Sequence, residues 1–405
     1  MNVRQGYKQT DIGLIPNDWN LKKFGDILNV IGGGAFKSSD SCVSGIKWLK
    51  IANVGINHAI WDSESYLPFK LVRDNENFLL KNGDYVIALT RPILDRKLKI
   101  ARLGNDDVPA LLNQRVGKIE IKQNNNIDFI YYLFQKYETI NGLLESMAGT
   151  DPPNLSNGGI YNIDCAVPIN KSEQTAIATA LSDADALISS LEKLIEKKRA
   201  IKQGAMQELL KPKEGWIIKK LGKVAEFYSG GTPSTSNASF YGGDICWITS
   251  SDLNKTNIES VEGKITKSGL ENSSSKMIQK ETLLVALYGA TAGVTAISHI
   301  EAAINQAVLA IIPKNDNNLF LFYQLTSLKD WILSTFIQGG QGNLSGNIFK
   351  ELELYLPLYE EQTRIATILS DMDAEIITLE QKLSKYKSIK QGMMQELLTG
   401  KIRLV

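Results

Sequence analysis

Cysteine and histidine are scarce in this chain of 405 residues. Its cysteines, Cys42, Cys165 and Cys246, lie far apart in the sequence, and its only histidines are His58 and His299. Scattered thiols provide no disulfide framework and suit a reducing compartment, so we expect a cytoplasmic protein. Because a zinc site needs closely spaced Cys and His ligands, we expect no metal site.

Long apolar runs and an excess of one charge are also lacking. No apolar run approaches the ~20 residues that cross a bilayer. The 45 Lys and Arg residues balance 44 Asp and Glu residues, for a net charge of +1. Any nucleic-acid site must therefore be a local patch, and the net charge neither indicates nor excludes DNA. The length allows two or three domains.

A segment of 38 residues occurs twice. Residues 173–210 and 361–398 align without a gap and are identical at 24 of 38 positions. In both copies apolar residues alternate in steps of four and three, which is typical of a coiled-coil seam. The repeat therefore predicts two long helices that form an antiparallel coiled coil with pseudo-twofold symmetry. The predicted seam residues are Ile177, Leu181, Ile188, Leu191 and Ile195, and then Ile365, Leu369, Ile376, Leu379 and Leu383.

The repeat continues more weakly outside the helices. Trp48 matches Trp247, the probable strand after Asp84 matches that after Thr282, and Asn-Leu-Ser at 154–156 matches Asn-Leu-Ser at 343–345. These matches predict an α+β fold, with two globular α/β halves in tandem that are separated by the long helices. The expected boundaries are 1–172, 173–212, 213–360 and 361–405. We expect both tryptophans in the cores.

Each repeated helix contains a glycine near its C-terminal end. Gly204 and Gly392 should each cost ~1 kcal/mol relative to alanine. A close approach of the two helices would explain both glycines, and fraying of the helix ends is the alternative. Two divergent halves on a fixed helical spacer suit a partner that is read at two places. DNA is such a partner, since half-sites one turn apart lie ~34 Å from each other.

Several motifs occur in a fixed order along the chain, and the first half departs from some of them, with Ile-Gly-Gly-Gly-Ala-Phe-Lys-Ser in place of Ser-Gly-Gly-Thr-Pro-Ser and Leu-Thr-Arg-Pro in place of Tyr-Gly-Ala-Thr. The motifs are the opening Ile15-Pro16 with Trp19, Ser-Gly-Gly-Thr-Pro-Ser at 229–234, Tyr-Gly-Ala-Thr at 288–291, Ile-Asn-Gln-Ala at 304–307, the Glu-Gln pair that opens each helix, and the closing segment 397–403. With these motifs, the chain resembles the specificity subunits of type I restriction–modification systems over essentially its whole length.

The resemblance implies a DNA-binding function without a catalytic site. Each half would be a target recognition domain that binds one half of an asymmetric, bipartite sequence in double-stranded DNA. The helices would set the spacer length and bind two methyltransferase subunits. S-adenosylmethionine would belong to those subunits, and ATP and Mg would belong to motor–nuclease subunits. No cofactor is expected in this chain.

Polar and basic residues in the loops are the candidates for DNA contact. Cations and exposed amides suit phosphates, while amide and guanidinium groups suit base edges. In the first half the candidates are Lys37, Arg91, Arg96, Lys97, Lys99, Asn113, Gln114 and Arg115. In the second half they are Gly230, Gly231, Thr232, Ser234, Tyr288, Thr291, Gln306, Gln338, Gln341 and Asn343. An ordinary solvated turn at 91–102 and a structural role for both Asn-Gln pairs remain open.

Two other functions compete with this interpretation. Thr-Asp-Pro-Pro-Asn at 150–154 is similar to the motif with which adenine methyltransferases hold the target amino group, so Asp151 could make the chain an autonomous enzyme. Asn154 replaces the aromatic residue of that motif, and no Gly-x-Gly turn precedes it to hold a cofactor. A coiled-coil scaffold that binds protein rather than DNA is the other alternative. It predicts no salt-dependent affinity for DNA.

Overall fold

The computed structural model describes residues 5–62, 65–122, 124–149, 151–337 and 343–404. The chain divides into two compact units. Unit 1 comprises residues 1–190 and 383–405, and unit 2 comprises residues 191–382. The units differ from the division expected from the repeat, because each contains one globular half, the N-terminal part of the helix that follows it and the C-terminal part of the other long helix.

Unit 1 contains two four-stranded sheets with short helices around them. The strands are β1 Tyr7–Thr10, β2 Gly13–Pro16, β3 Trp19–Lys23, β4 Leu28–Gly32, β5 Ile46–Leu49, β6 Tyr66–Leu67, β7 Leu79–Leu80, β8 Tyr85–Ala88, β9 Ile93–Leu94, β10 Lys97–Leu98, β11 Ile100–Arg102, β12 Ala110–Leu112, β13 Val116–Ile121 and β14 Asp164–Pro168. The helices are α1 Phe24–Ile27, α2 Lys70–Asp74, α3 Ile127–Phe134, α4 Tyr137–Ser146 and α5 Asn157–Tyr161. The sheet orders are β11-β8-β13-β4 and β6-β5-β12-β7.

The first long helix is α6 Lys171–Leu209 and runs through residues of both units. The strands of unit 2 are β15 Ile217–Lys220, β16 Ala225–Ser229, β17 Tyr241–Ile248, β18 Asn257–Ile258, β19 Lys264–Ile265, β20 Lys276–Ile278, β21 Thr282–Ala286, β22 Thr295–Ser298, β23 Ala302–Ile304, β24 Val308–Pro313 and β25 Glu353–Leu356. Its helices are α7 Leu221–Val224, α8 Lys267–Glu271, α9 Asn318–Phe336 and α10 Gly346–Glu351, and the second long helix is α11 Tyr359–Leu397. The sheets are ordered β16-β24-β21-β22-β18 and β19-β17-β23-β20.

The two units share a sheet skeleton. In unit 1, β13 lies between β4 and β8, and in unit 2, β24 lies between β16 and β21. The second sheets also agree, since β12 is parallel to β5 and β23 is parallel to β17. The predicted tandem α+β fold is therefore confirmed. Trp48 is in the core as expected, with 4% of its surface exposed, whereas Trp247 is only half-buried.

The long helices contribute to the globular cores. Ile177 and Leu181 of α6 are fully buried in the core of unit 1, and Ile365 and Leu369 of α11 are fully buried in that of unit 2. These four predicted seam residues therefore belong to mixed cores instead of a seam between the helices alone. The other seam residues are buried Ile188, Leu191, Ile195 and Ile376 and half-buried Leu379 and Leu383.

Within unit 2 the long helices are antiparallel. Lys198 contacts Glu375 at 2.7 Å, and Lys202, one turn further along α6, contacts Asp373, which precedes Glu375 in α11. Arg199 contacts Glu380 at 2.5 Å. The basic residues at the middle of the chain are thus partly neutralised within unit 2. Among the described residues, no helix is both long and apolar enough to span a membrane.

The expected explanation of the helix glycines is wrong. A Cβ atom added to Gly204 or Gly392 would meet no atom of the chain within 4 Å, so neither glycine permits a close approach of the helices. We expect Gly204→Ala and Gly392→Ala each to raise the free energy of unfolding by about 0.5–1 kcal/mol, because alanine is the better helix former. Urea denaturation measures this change.

Gly230→Ala is the control for these substitutions. Its added Cβ would lie 1.7 Å from the carbonyl oxygen of Ile304, so this alanine should destabilise unit 2. A loss of stability in either helix variant would contradict the expectation.

Candidate nucleic-acid interface

The glycine-rich loop of each unit packs against the loop that carries the Asn-Gln pair. In unit 1 the amide of Gly34 donates to the carbonyl of Leu112 at 2.8 Å, and the amide of Gln114 donates to the carbonyl of Gly34 at 2.9 Å. In unit 2 the amide of Gly230 donates to the carbonyl of Asn305 at 3.2 Å. Both units thus make a contact between these two loops.

Backbone packing explains the glycines of these loops. The amide of Gly231 donates to the carbonyl of Ile304, and a Cβ atom on Gly231 would lie 2.7 Å from the side chain of Ser274. Gly230 has no room for a Cβ atom either. The glycines therefore let one loop cross another at close range, and the residues that follow them, Lys37 in unit 1 and Thr232 and Ser234 in unit 2, are exposed.

Both Asn-Gln pairs combine a turn former with an exposed amide. Oδ1 of Asn113 accepts a hydrogen bond from the amide of Arg115 at 3.2 Å, and Oδ1 of Asn305 accepts one from the amide of Ala307 at 3.0 Å. This side-chain turn gives the two asparagines a shared structural role. Gln306 is exposed, and its Oε1 accepts a hydrogen bond from the hydroxyl of Thr232 at 2.6 Å, which leaves the donor end of the amide for a ligand. Gln114 and Arg115 are exposed as well.

The basic segment of unit 1 forms a tight hairpin. β9 and β10 pair around Asp95 and Arg96, which both have positive φ values, 48° and 58°, as the two-residue turn of a type I′ hairpin requires. Arg96 and Lys97 are exposed at its tip. A hydrogen bond with Asn141 and the nearby cation of Arg96 lower the pKa of Tyr137, so the tip lies beside the start of α4. The hairpin therefore presents two cations to solvent.

Two other cations of this segment differ in their availability. Arg91 is exposed, and its backbone amide donates to the carbonyl of Pro153 at 2.8 Å. Lys99 is half-buried, and its Nζ donates to the carbonyl of Ile51 at 2.7 Å. Burial also lowers the pKa of Lys99. Its ammonium group thus stabilises unit 1 and is a poorer candidate for phosphate contact than Arg91.

The repeated Asn-Leu-Ser segment holds the neighbouring loop in both units. In unit 1, Asn154 forms an isolated β-bridge with Thr90, and in unit 2, Asn343 forms one with Tyr288. The leucine of each segment is buried, and its serine caps the next short helix. The sequence indicated that these two segments match each other. It did not indicate that each contacts the loop that follows the central strand of its unit, β8 or β21.

Tyr288 and Thr291 of unit 2 have different environments. Tyr288 is 39% exposed and, with Asn343, lines a surface cavity of about 560 Å³ that also includes Leu344, Ser345 and Ile348. Thr291 is buried, and its hydroxyl donates to the carbonyl of Tyr288 at 3.4 Å, so it shapes the turn instead of facing a ligand. The predicted contacts Gln338 and Gln341 lie outside the described residues.

An aromatic groove next to this cavity was not anticipated from the sequence. Its volume is about 660 Å³, and its walls include Trp331, Phe336 and Tyr355, which are 51%, 40% and 40% exposed. It shares Ser345 and Ile348 with the Tyr288 cavity. Trp331 and Phe336 belong to α9, and their rings make an edge-to-face contact with centroids 5.9 Å apart.

The backbone carbonyls of the Asp151 segment accept hydrogen bonds from within unit 1. Here the carbonyl of Pro152 accepts a hydrogen bond from Nδ2 of Asn154 at 3.0 Å, and that of Pro153 accepts one from the amide of Arg91. These carbonyls hold the loop of unit 1. Among the described residues, no group of acidic, His and Cys side chains could hold a metal ion.

The chain thus consists of two similar α+β units with different exposed loops, each built on parts of two long helices. Comparisons with known proteins identify its family. The family described as "Type I restriction modification DNA specificity domain" matches residues 16–203 and 213–389, and the chain belongs to this family.

Similar proteins agree with this assignment. The type I restriction enzyme MjaVIII specificity subunit of Methanocaldococcus jannaschii is 36% identical over 208 residues, which are 51% of this chain and 48% of the relative. The putative MjaX specificity subunit of the same organism is 23% identical over 99% of this chain and 97% of its own length. The matches with the first three curated relatives span less than half of their lengths.

A solved structure agrees with the fold. The crystal structure of a type I restriction–modification S subunit from M. genitalium has a TM-score of 0.62 with 15% sequence identity, and the match covers 98% of both chains. At this identity the likeness concerns the fold alone.

Proposed function

We propose that this chain is the DNA specificity subunit of a type I restriction–modification complex. Each unit reads one half of an asymmetric, bipartite target in double-stranded DNA. The carrying observation is that the two units share a sheet skeleton but present different side chains from equivalent loops. Arg91, Arg96 and Lys97 are exposed in unit 1, whereas the loop after the equivalent strand of unit 2 exposes Tyr288. A common scaffold with different loops is the arrangement expected for reading two different half-sites.

The repeated helices support a partner that binds in two copies. Packing within the chain can explain why buried residues of α6 and α11 are identical. Many identical residues of the two helices are exposed, however, and their identity indicates contact with a partner. The exposed matched pairs include Thr179 and Thr367, Asp183 and Asp371, Ala186 and Ala374, Ile201 and Ile389, Gln203 and Gln391, and Gln207 and Gln395. Gly204 and Gly392 lie beside them with open space above their backbones.

These repeated surfaces suit two methyltransferase subunits, one on each unit. Exposed Ile201 and Ile389 would provide apolar contacts at equivalent places. In this proposal the chain itself is not catalytic. S-adenosylmethionine binds to the methyltransferase subunits, and ATP and Mg bind to the motor–nuclease subunits.

A map of methylated adenine in the host genome, with and without this gene, tests the proposed function. We expect one asymmetric, gapped motif to lose its methylation when the gene is deleted, because only this chain would select that motif. Restoring the gene should restore the motif. An unchanged map in a host whose methyltransferase subunit is active would contradict the proposal.

The purified chain provides the control for an autonomous enzyme. It should transfer no methyl group to DNA alone, and it should direct transfer when the methyltransferase subunit is added. If the chain alone transferred methyl groups and Asp151→Ala abolished this activity, the result would support the alternative that the chain is an autonomous methyltransferase.

A further inference from the structure

A carboxylate in unit 1 connects three chain segments. The hydroxyl of Tyr132, on α3, donates to Oδ2 of Asp185, on α6, at 2.8 Å. Nζ of Lys390, on α11, lies 2.6 Å from the other oxygen, Oδ1, of the same carboxylate. Lys390 also lies 5.5 Å from the centre of the Tyr132 ring, within the range of a cation–π contact. We call Tyr132, Asp185 and Lys390 the first triad.

The same arrangement occurs in unit 2. The hydroxyl of Tyr323, on α9, donates to Oδ2 of Asp373, on α11, at 2.8 Å. Nζ of Lys202, on α6, binds Oδ1 of Asp373 and lies 5.5 Å from the centre of the Tyr323 ring. We call Tyr323, Asp373 and Lys202 the second triad. Each triad therefore joins a globular half to both long helices through one carboxylate.

The aspartate and the lysine of each triad are retained on either side of the most divergent stretch of the repeated helices. Asp185 and Asp373, and likewise Lys202 and Lys390, are exact counterparts in the 188-residue repeat. Between the triad positions, residues 187–200 and 375–388 differ at ten of 14 positions. The ion pair of Lys198 with Glu375 is not repeated, since its counterparts are Tyr386 and Leu187. The aspartate and the lysine of each triad therefore belong to the segments that the two helices share, just outside the stretch in which they differ.

The environment of the triads favours fixed geometry. The side chains of Asp185 and Lys390 are 31% and 12% exposed, and those of Asp373 and Lys202 are 27% and 22% exposed. Burial, followed by the charge of the neighbouring aspartate, raises the pKa of Tyr132 and of Tyr323. Both hydroxyls therefore remain protonated donors at neutral pH. A charge-assisted hydrogen bond to a partly buried carboxylate is directional and stronger than a neutral one.

We propose that the two triads are positioning residues that fix each globular half on the helices and thereby restrict the DNA target to one spacer length. This inference depends on the proposed function. One additional base pair moves a half-site by ~3.4 Å along the duplex and rotates it by about 34°. A recognition unit that could rotate by this amount on its helices would accept neighbouring spacer lengths. In each triad the tyrosine holds the globular half on the long helix that carries the aspartate. The lysine holds the other long helix against that aspartate and against the tyrosine ring.

The test uses the assembled complex with its methyltransferase subunits. DNA duplexes carry both half-sites with the native spacer, or with one base pair more or fewer, and the initial methylation rates are compared. In the variants Tyr132→Phe with Tyr323→Phe, and Lys202→Met with Lys390→Met, we expect the preference for the native spacer to fall at least tenfold. A purely stabilising role would change all three rates alike and would leave this preference unchanged.

Two matched variants serve as controls. Lys198→Met removes an ion pair between the same helices in which no residue of a globular half takes part, and it should keep the native preference. Lys202→Arg with Lys390→Arg retains the cations and should also keep it. Should the double lysine variant fail to fold, the two tyrosine substitutions made separately provide the same readout.

Three results would overturn the inference. The triad variants could methylate the native target with unchanged spacer preference, or Lys198→Met could relax the preference equally. The third result is a wild-type complex without sequence-specific methylation, which contradicts the proposed function itself and is therefore distinguishable from the first two.

Discussion

Replacing Arg403 with methionine is expected to lower the free energy of unfolding by about 3 kcal/mol, since breaking a buried ion pair leaves an uncompensated charge. Glu173 at the start of α6 is 1% exposed. Its carboxylate accepts hydrogen bonds from Nε and Nη2 of Arg403 at 2.5 and 2.9 Å and from Nε1 of Trp19 at 3.2 Å. Without the guanidinium, unit 1 must bury an anion whose remaining partner is neutral. Urea denaturation followed by tryptophan fluorescence measures the loss.

Two further variants separate the buried charge from a general effect of the C-terminal segment. Lys401→Met removes an exposed cation 3.7 Å from Glu396 and should cost less than 1 kcal/mol, within the range of surface ion pairs. Glu173→Gln combined with Arg403→Met should recover most of the stability, because a neutral amide can keep the bond to Trp19 at a lower desolvation cost. If the double variant were as unstable as Arg403→Met alone, loss of packing would be the cause instead.

The repeat provides a matched position in unit 2. Glu361 is the counterpart of Glu173, but its side chain is 31% exposed, and its nearest cations, Lys213 and Arg364, lie at 3.9 and 3.7 Å. The indole nitrogen of Trp216, the counterpart of Trp19, has no hydrogen-bond partner. Glu361→Gln should therefore change stability by less than 1 kcal/mol. We therefore expect identical glutamates in the two copies to contribute differently to stability.

The helices were predictable from sequence because each buries one face along most of its length. Their observed bounds, Lys171–Leu209 and Tyr359–Leu397, begin two residues before the repeated segments and end one residue before their last residues. Because the buried face repeats with the helical period, the spacing of the apolar residues in the sequence indicates it. The sheet skeleton was predictable in outline for the same reason, since the central strands β8 and β21 are buried throughout.

The polar contacts were not predictable, because they join residues that are distant in sequence and look like surface charges. Asp185 and Lys390 are separated by 205 residues, and nothing in either neighbourhood indicates the other. Thr291 and Lys99 illustrate the opposite error. Both residue types suit DNA contact. In the fold, however, the Thr291 hydroxyl donates to a backbone carbonyl, and the half-buried Lys99 ammonium group does the same. Composition indicates which groups can bind DNA, and only the packing of the loops decides which are exposed.

Lengthening both helices together should change the spacer of the DNA target without changing either half-site. We expect four extra residues after Ile195 in α6 and four after Leu383 in α11 to add about 6 Å and about 40° of rotation to each helix between its triad residues. Because one base pair adds ~3.4 Å and about 34°, the spacer should grow by one or two base pairs. Both triads can still form, since their residues keep their partners. The map of methylated adenine measures the new spacer.

The same insertion in α6 alone is the decisive comparison. It lengthens the stretch between Asp185 and Lys202 but leaves the stretch between Asp373 and Lys390 unchanged, so the two triads cannot both form. Methylation of the native motif should then fall strongly, whereas the matched insertion retains activity on the longer motif. If the matched insertion left the native spacer in place at full activity, the helices would not determine the spacer. If the single insertion shifted the spacer as efficiently as the matched one, helix length would matter and the triads would not.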